Sequence, residues 1–318
     1  MGNFLIETKD LTKKYGEFVA VDSLDLKVRS GEVFGLLGPN GAGKTTTILM
    51  LLGLTEPTSG QVQVLGFDPV RQPLSIKSRA GYIPDQIGFY DELTAEENLV
   101  YIAKLNGLSR QETSRRIDEA LEKVGLTNVA SQRVGTFSRG MRQRLGVADV
   151  LLKKPELIIM DEPTQGLDPE LARNFMDLIR ELSGTGITIL LTSHLLYQVQ
   201  EVCDRVGLFH KGKMVLEGTV SDLAQEVLGA EYHIQLRANG KRDSFVNELK
   251  NLSGVVEVKF IEPDLYTLVA TKDLRAEAAQ TIINSGGQLK ALDIKSLSLD
   301  DIYNAYFKEV KHGPRSES

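Results

Sequence analysis

The stretch Gly38-Pro39-Asn40-Gly41-Ala42-Gly43-Lys44-Thr45-Thr46 fits the spacing G-x-x-x-x-G-K-[ST] without a gap. Ahead of it runs Glu32-Val33-Phe34-Gly35-Leu36-Leu37, mostly apolar and bounded by Gly31 and Gly38, which reads as a buried strand. Behind it, Thr46 to Leu52 carries Ile48, Leu49, Leu51 and Leu52 on a helix-like apolar face closed by Gly53. Glycines let backbone N–H groups curl into a concave nest, and the next helix starts there with unpaired donors and the positive end of its dipole. Strand, glycine loop and helix in that order make a seat for nucleotide phosphates. Lys44 would reach the β- and γ-phosphates, and the Thr45 hydroxyl would sit on Mg2+.

Two further apolar runs belong with the first. Leu157-Ile158-Ile159-Met160 is followed by Asp161-Glu162-Pro163-Thr164, and Gly186 to Leu191 ends in Thr192-Ser193-His194. Such runs suit buried parallel strands, whose carboxyl ends are where ligands bind in doubly wound sheets. Two adjacent acids at that edge are costly unless a cation or substrate uses them. Asp161 suits Mg2+, and Glu162 suits an attacking water; the plainer reading is an acidic helix start after a strand. His194 on the same edge could polarise a γ-phosphate or hold a water, although a lone histidine is more often a surface or satisfied core residue.

Elsewhere the signals are local. Phe4 to Lys9 and Val19 to Val28 predict an antiparallel opening, with a turn at Asp22-Ser23. Tyr15, in a polar turn, is either an adenine-stacking ring or a partly exposed tyrosine. Thr94 with Glu97 makes a capping box, and helical patterning runs through Leu105 and again from Ser109 to Val124. Phe137 to Arg144 opens another helix, with Ser138 as its N-cap and arginines in the first turns. Basic residues there oppose the helix dipole, which weakly favours an anionic neighbour, although a capped helix with a charged face is the plainer reading. Val206 to His210 and Met214 to Glu217 predict a hairpin around Lys211-Gly212-Lys213.

Bulk composition sets the bounds. A chain of 318 residues predicts two domains, and 42% hydrophobic with 25% charged residues is ordinary for a globular protein. A net charge of −6 gives no overall pull toward nucleic acid. Cys203 is the only cysteine, which excludes an internal disulfide framework and fits a reducing cytosol. No signal peptide is expected, and Ile187 to Leu191 is far too short to span a bilayer. At a membrane, another chain would supply the spanning part. The end, Gly313 to Ser318, reads as a loose polar tail.

Taken together, these stretches resemble the ATP-binding subunit of an ABC transporter, over about residues 3–225. In that resemblance Gly38 to Thr45 matches Walker A, Leu157 to Asp161 Walker B, and Glu162 the catalytic glutamate. Phe137 to Met141 matches the family signature, which implies that Ser138 and Gly140 touch the γ-phosphate bound by an opposing subunit. Gly166-Leu167-Asp168-Pro169 matches the D-loop, His194 the switch histidine, and Tyr15 the adenine-stacking aromatic. Two departures stand out. Arg139 and Met141 replace the glycine and glutamine of many members, a form similar to export ATPases of the drug-resistance and sodium-efflux type. Asp85, with Gln86 next to it, falls where the Q-loop glutamine usually meets Mg2+, so both are candidate metal contacts. The resemblance implies an ATPase driving export through a separate membrane permease. It further implies ATP and Mg2+ bound between two head-to-tail copies on the inner face of the cell membrane. A soluble ABC-type ATPase acting on ribosomes or DNA, or a plain P-loop kinase, are the alternatives.

The expected fold class is α/β: a P-loop ABC-type ATPase domain over residues 1–228, with a mixed sheet core and a helical subdomain at about 88–153. Residues 229–318 read as a small α+β accessory domain. Its pattern is a strand (232–237), helix (243–252), strand (255–261), strand (265–270), helix (273–284) and strand (288–294), the β-α-β-β-α-β order of a ferredoxin-like unit. Ser298 then caps a terminal amphipathic helix bearing Ile302, Tyr303, Tyr306 and Phe307.

Overall fold

The computed structural model describes residues 4–228, 232–239, 242–294 and 298–312; the predicted polar tail from Gly313 lies outside them. Internal contacts divide the chain into Met1–Gly218 and Thr219–Ser318.

The first unit opens with β1 (Phe4–Tyr15) and β2 (Phe18–Arg29), antiparallel and closed by a tight turn at Gly16. No turn forms at Asp22-Ser23. The strand continues through register shifts, with Ser23 at φ 50° facing the irregular stretch around Asp10 at φ 49°. Next come β3 (Val33–Leu37), α1 (Lys44–Leu51), β4 (Ser59–Val64), α2 (Pro73–Lys77) and β5 (Ala80–Ile83). Three helices follow: α3 (Ala95–Leu105), α4 (Arg110–Lys123) and α5 (Arg139–Leu151), which pack on one another within the expected 88–153 segment. Their starts are chemically capped. Thr94 and Glu97 form the full capping box of α3, and Ser109 and Ser138 accept from Glu112 N–H and Met141 N–H at the heads of α4 and α5. The unit finishes with β6 (Leu157–Met160), α6 (Pro169–Ser183), β7 (Thr188–Ser193), α7 (Leu196–Val199) and the hairpin β8 (Arg205–His210) and β9 (Lys213–Gly218).

These strands form a six-stranded sheet ordered β5-β6-β7-β3-β8-β9, parallel except for the last pair, and a three-stranded antiparallel sheet ordered β2-β1-β4. The apolar runs have both faces covered: every residue of β3, β6 and β7 is buried. Leu36, Ile48, Ile159 and Leu190 join Leu11, Leu26 and Val64 from the antiparallel sheet in one core. Because β6, β7 and β3 are consecutive in the sheet, Asp161, His194 and Gly38 emerge side by side at one edge. Among the described residues, no helix is long and apolar enough to cross a membrane.

The second unit contains α8 (Val220–Leu228), β10 (Tyr232–Asn239), α9 (Arg242–Lys250), β11 (Val255–Glu262), β12 (Leu265–Ala270), α10 (Arg275–Asn284), β13 (Gln288–Ile294) and α11 (Leu299–His312). Its four strands are ordered β11-β12-β10-β13, every pair antiparallel, which is the ferredoxin-like arrangement. Ile234, Leu236, Phe245, Leu268 and Ile282 fill its own core. The division falls ten residues ahead of the expected 228/229 boundary, because α8 packs against α11.

Candidate nucleotide site

The loop between β3 and α1 is closed by its glycines. Gly38 has φ 153°, and a Cβ there would stand 2.2 Å from the Phe209 carbonyl oxygen. Gly43 has φ 111°, and a Cβ would stand 2.3 Å from the Ala20 carbonyl oxygen. Only glycine tolerates both the conformation and the approach. Inside the loop, Ala42 N–H donates to the Pro39 carbonyl at 3.2 Å, and Ala42 is buried. A cavity of about 570 Å³ opens over the turn, lined by Asn40, Gly41, Gly43, Lys44, Thr45 and Thr46 from this segment.

Its other wall is acidic. Asp161 and Glu162 line the cavity with Asp85 and Gln165. Thr45 Oγ1 donates to Asp161 Oδ2 at 2.8 Å, and Thr192 Oγ1 donates to Asp161 Oδ1 at 2.5 Å. Lys44 Nζ donates to the Gly38 carbonyl at 2.7 Å and stands 3.1 Å from Glu162 Oε1. That carboxylate oxygen is buried and accepts no aligned hydrogen bond, so it meets the ammonium as a charge alone. Glu162 Oε2 accepts from His194 N–H at 3.2 Å and lies 2.8 Å from His194 Nδ1. Glu162 holds φ 49°, a left-handed conformation costly for a residue with a side chain, and its N–H donates to Thr192 Oγ1 at 3.0 Å. Burial, with the charges of Asp161 and Asp85 nearby, pushes the Tyr82 hydroxyl up to about 12.

This donor set fits the groups that the sequence implies. A nest with a lysine at its foot suits a polyphosphate. A threonine hydroxyl beside a carboxylate gives the hard oxygen ligands that Mg2+ takes, with Asp85 on the same cavity. Mg2+ held there would neutralise phosphate charge. Gln86 is exposed and does not line the cavity; of the two Q-loop candidates, Asp85 faces it.

The remaining candidates lie apart. Tyr15 is half exposed, with Lys13 Nζ 4.9 Å above its ring, and does not line the cavity; Phe18, its partner across the β1–β2 turn, does. Ser138 and Gly140 sit at the head of α5, outside the lining residues, where a Cβ on Gly140 would meet Leu171 at 3.3 Å. Asp168 caps α6, its Oδ1 accepting from Glu170 N–H and Leu171 N–H. Thr192, Gln165 and Phe18 were not among the candidates. Thr192 is a β-branched residue ending an apolar strand, and its register beside Asp161 is a property of strand order rather than of local sequence.

A family described as ABC transporter matches residues 21–165. The linearmycin resistance ATP-binding protein LnrL of Bacillus subtilis is 39% identical over 82% of this chain and 84% of its own. The daunorubicin resistance ATP-binding protein DrrA3 of Streptomyces coeruleorubidus is 33% identical, covering 95% of this chain and 96% of its own. Among solved structures, the dimeric ATP-binding cassette MJ0796, in a post-hydrolysis state with ADP and Pi, is 25% identical with a TM-score of 0.61, over 67% of this chain and 98% of that one. The strand order, the phosphate loop and the similarity to LnrL over most of both chains agree: the chain belongs to the ABC transporter family as an ATP-binding subunit, an ATPase coupled to transport.

Proposed function

We propose that two copies of this chain face each other head to tail, close over two ATP-Mg2+, and on hydrolysis drive export through a separate membrane permease. The observation that carries this reading is the cavity that gathers Lys44, Thr45, Asp161 and Glu162 at one sheet edge. The nest and Lys44 hold the β- and γ-phosphates, while Thr45, Asp161 and Asp85 hold the cation. Glu162, oriented by His194 and by its strained backbone, takes a proton from the attacking water. His194 presents its other ring nitrogen toward the γ-phosphate.

A second copy is invoked because the signature residues Ser138 and Gly140 do not line the cavity of their own chain. Presented by a partner, the capped head of α5 supplies helix N-terminal donors to the triphosphate, and Asp168 sits near the seam. Phe18 or Tyr15, on the β1–β2 turn, stacks on adenine. The dimeric state of the MJ0796 cassette supports the pairing, and the resistance names of LnrL and DrrA3 support outward transport. The chain then works on the cytoplasmic face, held to the membrane by the permease.

Mixing two inactive variants tests the pairing. Lys44→Ala removes the phosphate lysine and Ser138→Arg blocks the donated helix head, so each alone should show no turnover. Mixed, half the dimers carry one intact site, and turnover returns to about a quarter of wild type on random pairing. No recovery on mixing, with both variants folded, would refute a site shared between copies.

A further inference from the structure

The head of α5 carries Arg139, Arg142 and Arg144 and has no acidic residue in its first turn, a placement that the helix dipole disfavours. Each arginine has a partner inside the chain. Arg142 pairs with Asp91 at 2.8 Å, and Arg144 donates to the Val124 carbonyl at 3.0 Å. Arg139 Nη2 donates to Asp85 Oδ1 at 3.1 Å. Arg139 thus differs from the other two, because its partner is a carboxylate on the nucleotide cavity. The same guanidinium lies on Gly166, where any Cβ would stand 2.7 Å from Arg139 Nη1. One side chain therefore ties together the loop after β5, the loop after β6 and the first residue of the signature helix.

We propose that Arg139 is a positioning residue that competes with the divalent cation for Asp85. While Asp85 holds Arg139, the head of α5 is fixed against the Gly166 loop. When the cation takes Asp85, that tie weakens and the helix head with Ser138 and Gly140 is released toward a partner's nucleotide. The two engagements oppose each other through one carboxylate and through repulsion between two positive charges, so by linkage each lowers the affinity of the other by the same factor. This rests on the reading of the cavity as an ATP-cation site with Asp85 facing the metal. The pair is partly exposed, with side chains 47% and 34% accessible, which sets a modest coupling.

The test is a titration of the full chain with Mn2+, read by electron paramagnetic resonance, in the presence of a nonhydrolysable ATP analogue. Wild type, Arg139→Gln, Asp85→Asn and the double variant form a cycle. Arg139→Gln should bind Mn2+ about twofold to fivefold more tightly, and the gain should vanish in the Asp85→Asn background. A companion measurement uses amide hydrogen exchange without nucleotide. Residues 139–142 should exchange faster in both Arg139→Gln and Asp85→Asn than in wild type, with the rest of α5 unchanged. The proposal is overturned if Arg139→Gln leaves Mn2+ affinity and exchange unchanged, or if its gain persists without Asp85. Failure of the site itself looks different: wild type with the analogue binds no Mn2+, or Asp161→Asn binds it as tightly as wild type.

Discussion

One hydroxyl at the end of β7 serves both acids of the site: Thr192 donates to Asp161 and accepts from the Glu162 N–H, at 2.5 and 3.0 Å. Thr192→Val keeps the shape and leaves a buried carboxylate oxygen and a backbone donor without that partner. We expect a loss of about 1–3 kcal/mol in urea unfolding, with turnover reduced. A loss below a few tenths of a kcal/mol would show that neither bond contributes. At this scale the sequence was informative where chemistry is written into consecutive residues, as in Gly38 to Thr46 and Asp161-Glu162. It was silent on Thr192, because a threonine ending an apolar strand reads only as a β-former. It left Asp85 and Gln86 open as neighbours just past a short strand, and only the folded loop shows that Asp85 meets the cavity while Gln86 faces water.

Among the elements, α5 carries a titratable cost along its length. Burial pushes Asp149 up from its ordinary value to about 6, an effect that the charge of Lys153 partly offsets. Between the unfolded value and about pH 6, the folded chain binds more protons than the unfolded one, so this group's contribution to stability falls as pH rises through that window. Above it, ionised Asp149 costs about 3 kcal/mol. Asp149→Asn should therefore be more stable than wild type by about that amount at pH 8, with the advantage gone near pH 4. An equal difference at both values, by urea unfolding, would contradict it. Most elements were legible in the sequence because their caps and periods are strong: Thr94 with Glu97 for α3, Ser138 for α5, unbroken apolar runs for β3, β6 and β7. The supposed turn at Asp22-Ser23 was not, since a bulge and a turn use the same residue types and only the pairing of β1 with β2 separates them. At four residues, α7 is too short to show a period.

For the whole molecule, the two units carry separate cores. Leu268 is fully buried in the second, between Ile234 on β10 and Val258 on β11. Leu268→Ala should destabilise that unit by about 2–5 kcal/mol and leave the ATP affinity of the first within a factor of about two. A parallel fall in ATP affinity would mean that the two cores do not act independently. The β-α-β-β-α-β order of the second unit was readable from alternation and turn residues, whereas the place of α8 depended on its packing against α11, which no local signal carries. At the level of the whole chain, we propose that Glu162 activates the water that attacks ATP seated over Lys44. Turnover of Glu162→Gln, measured beside its ATP affinity and its state of association, tests that most directly. Turnover should fall by at least about a hundredfold while affinity stays near wild type and an ATP-dependent dimer accumulates; hydrolysis at the wild-type rate would contradict it.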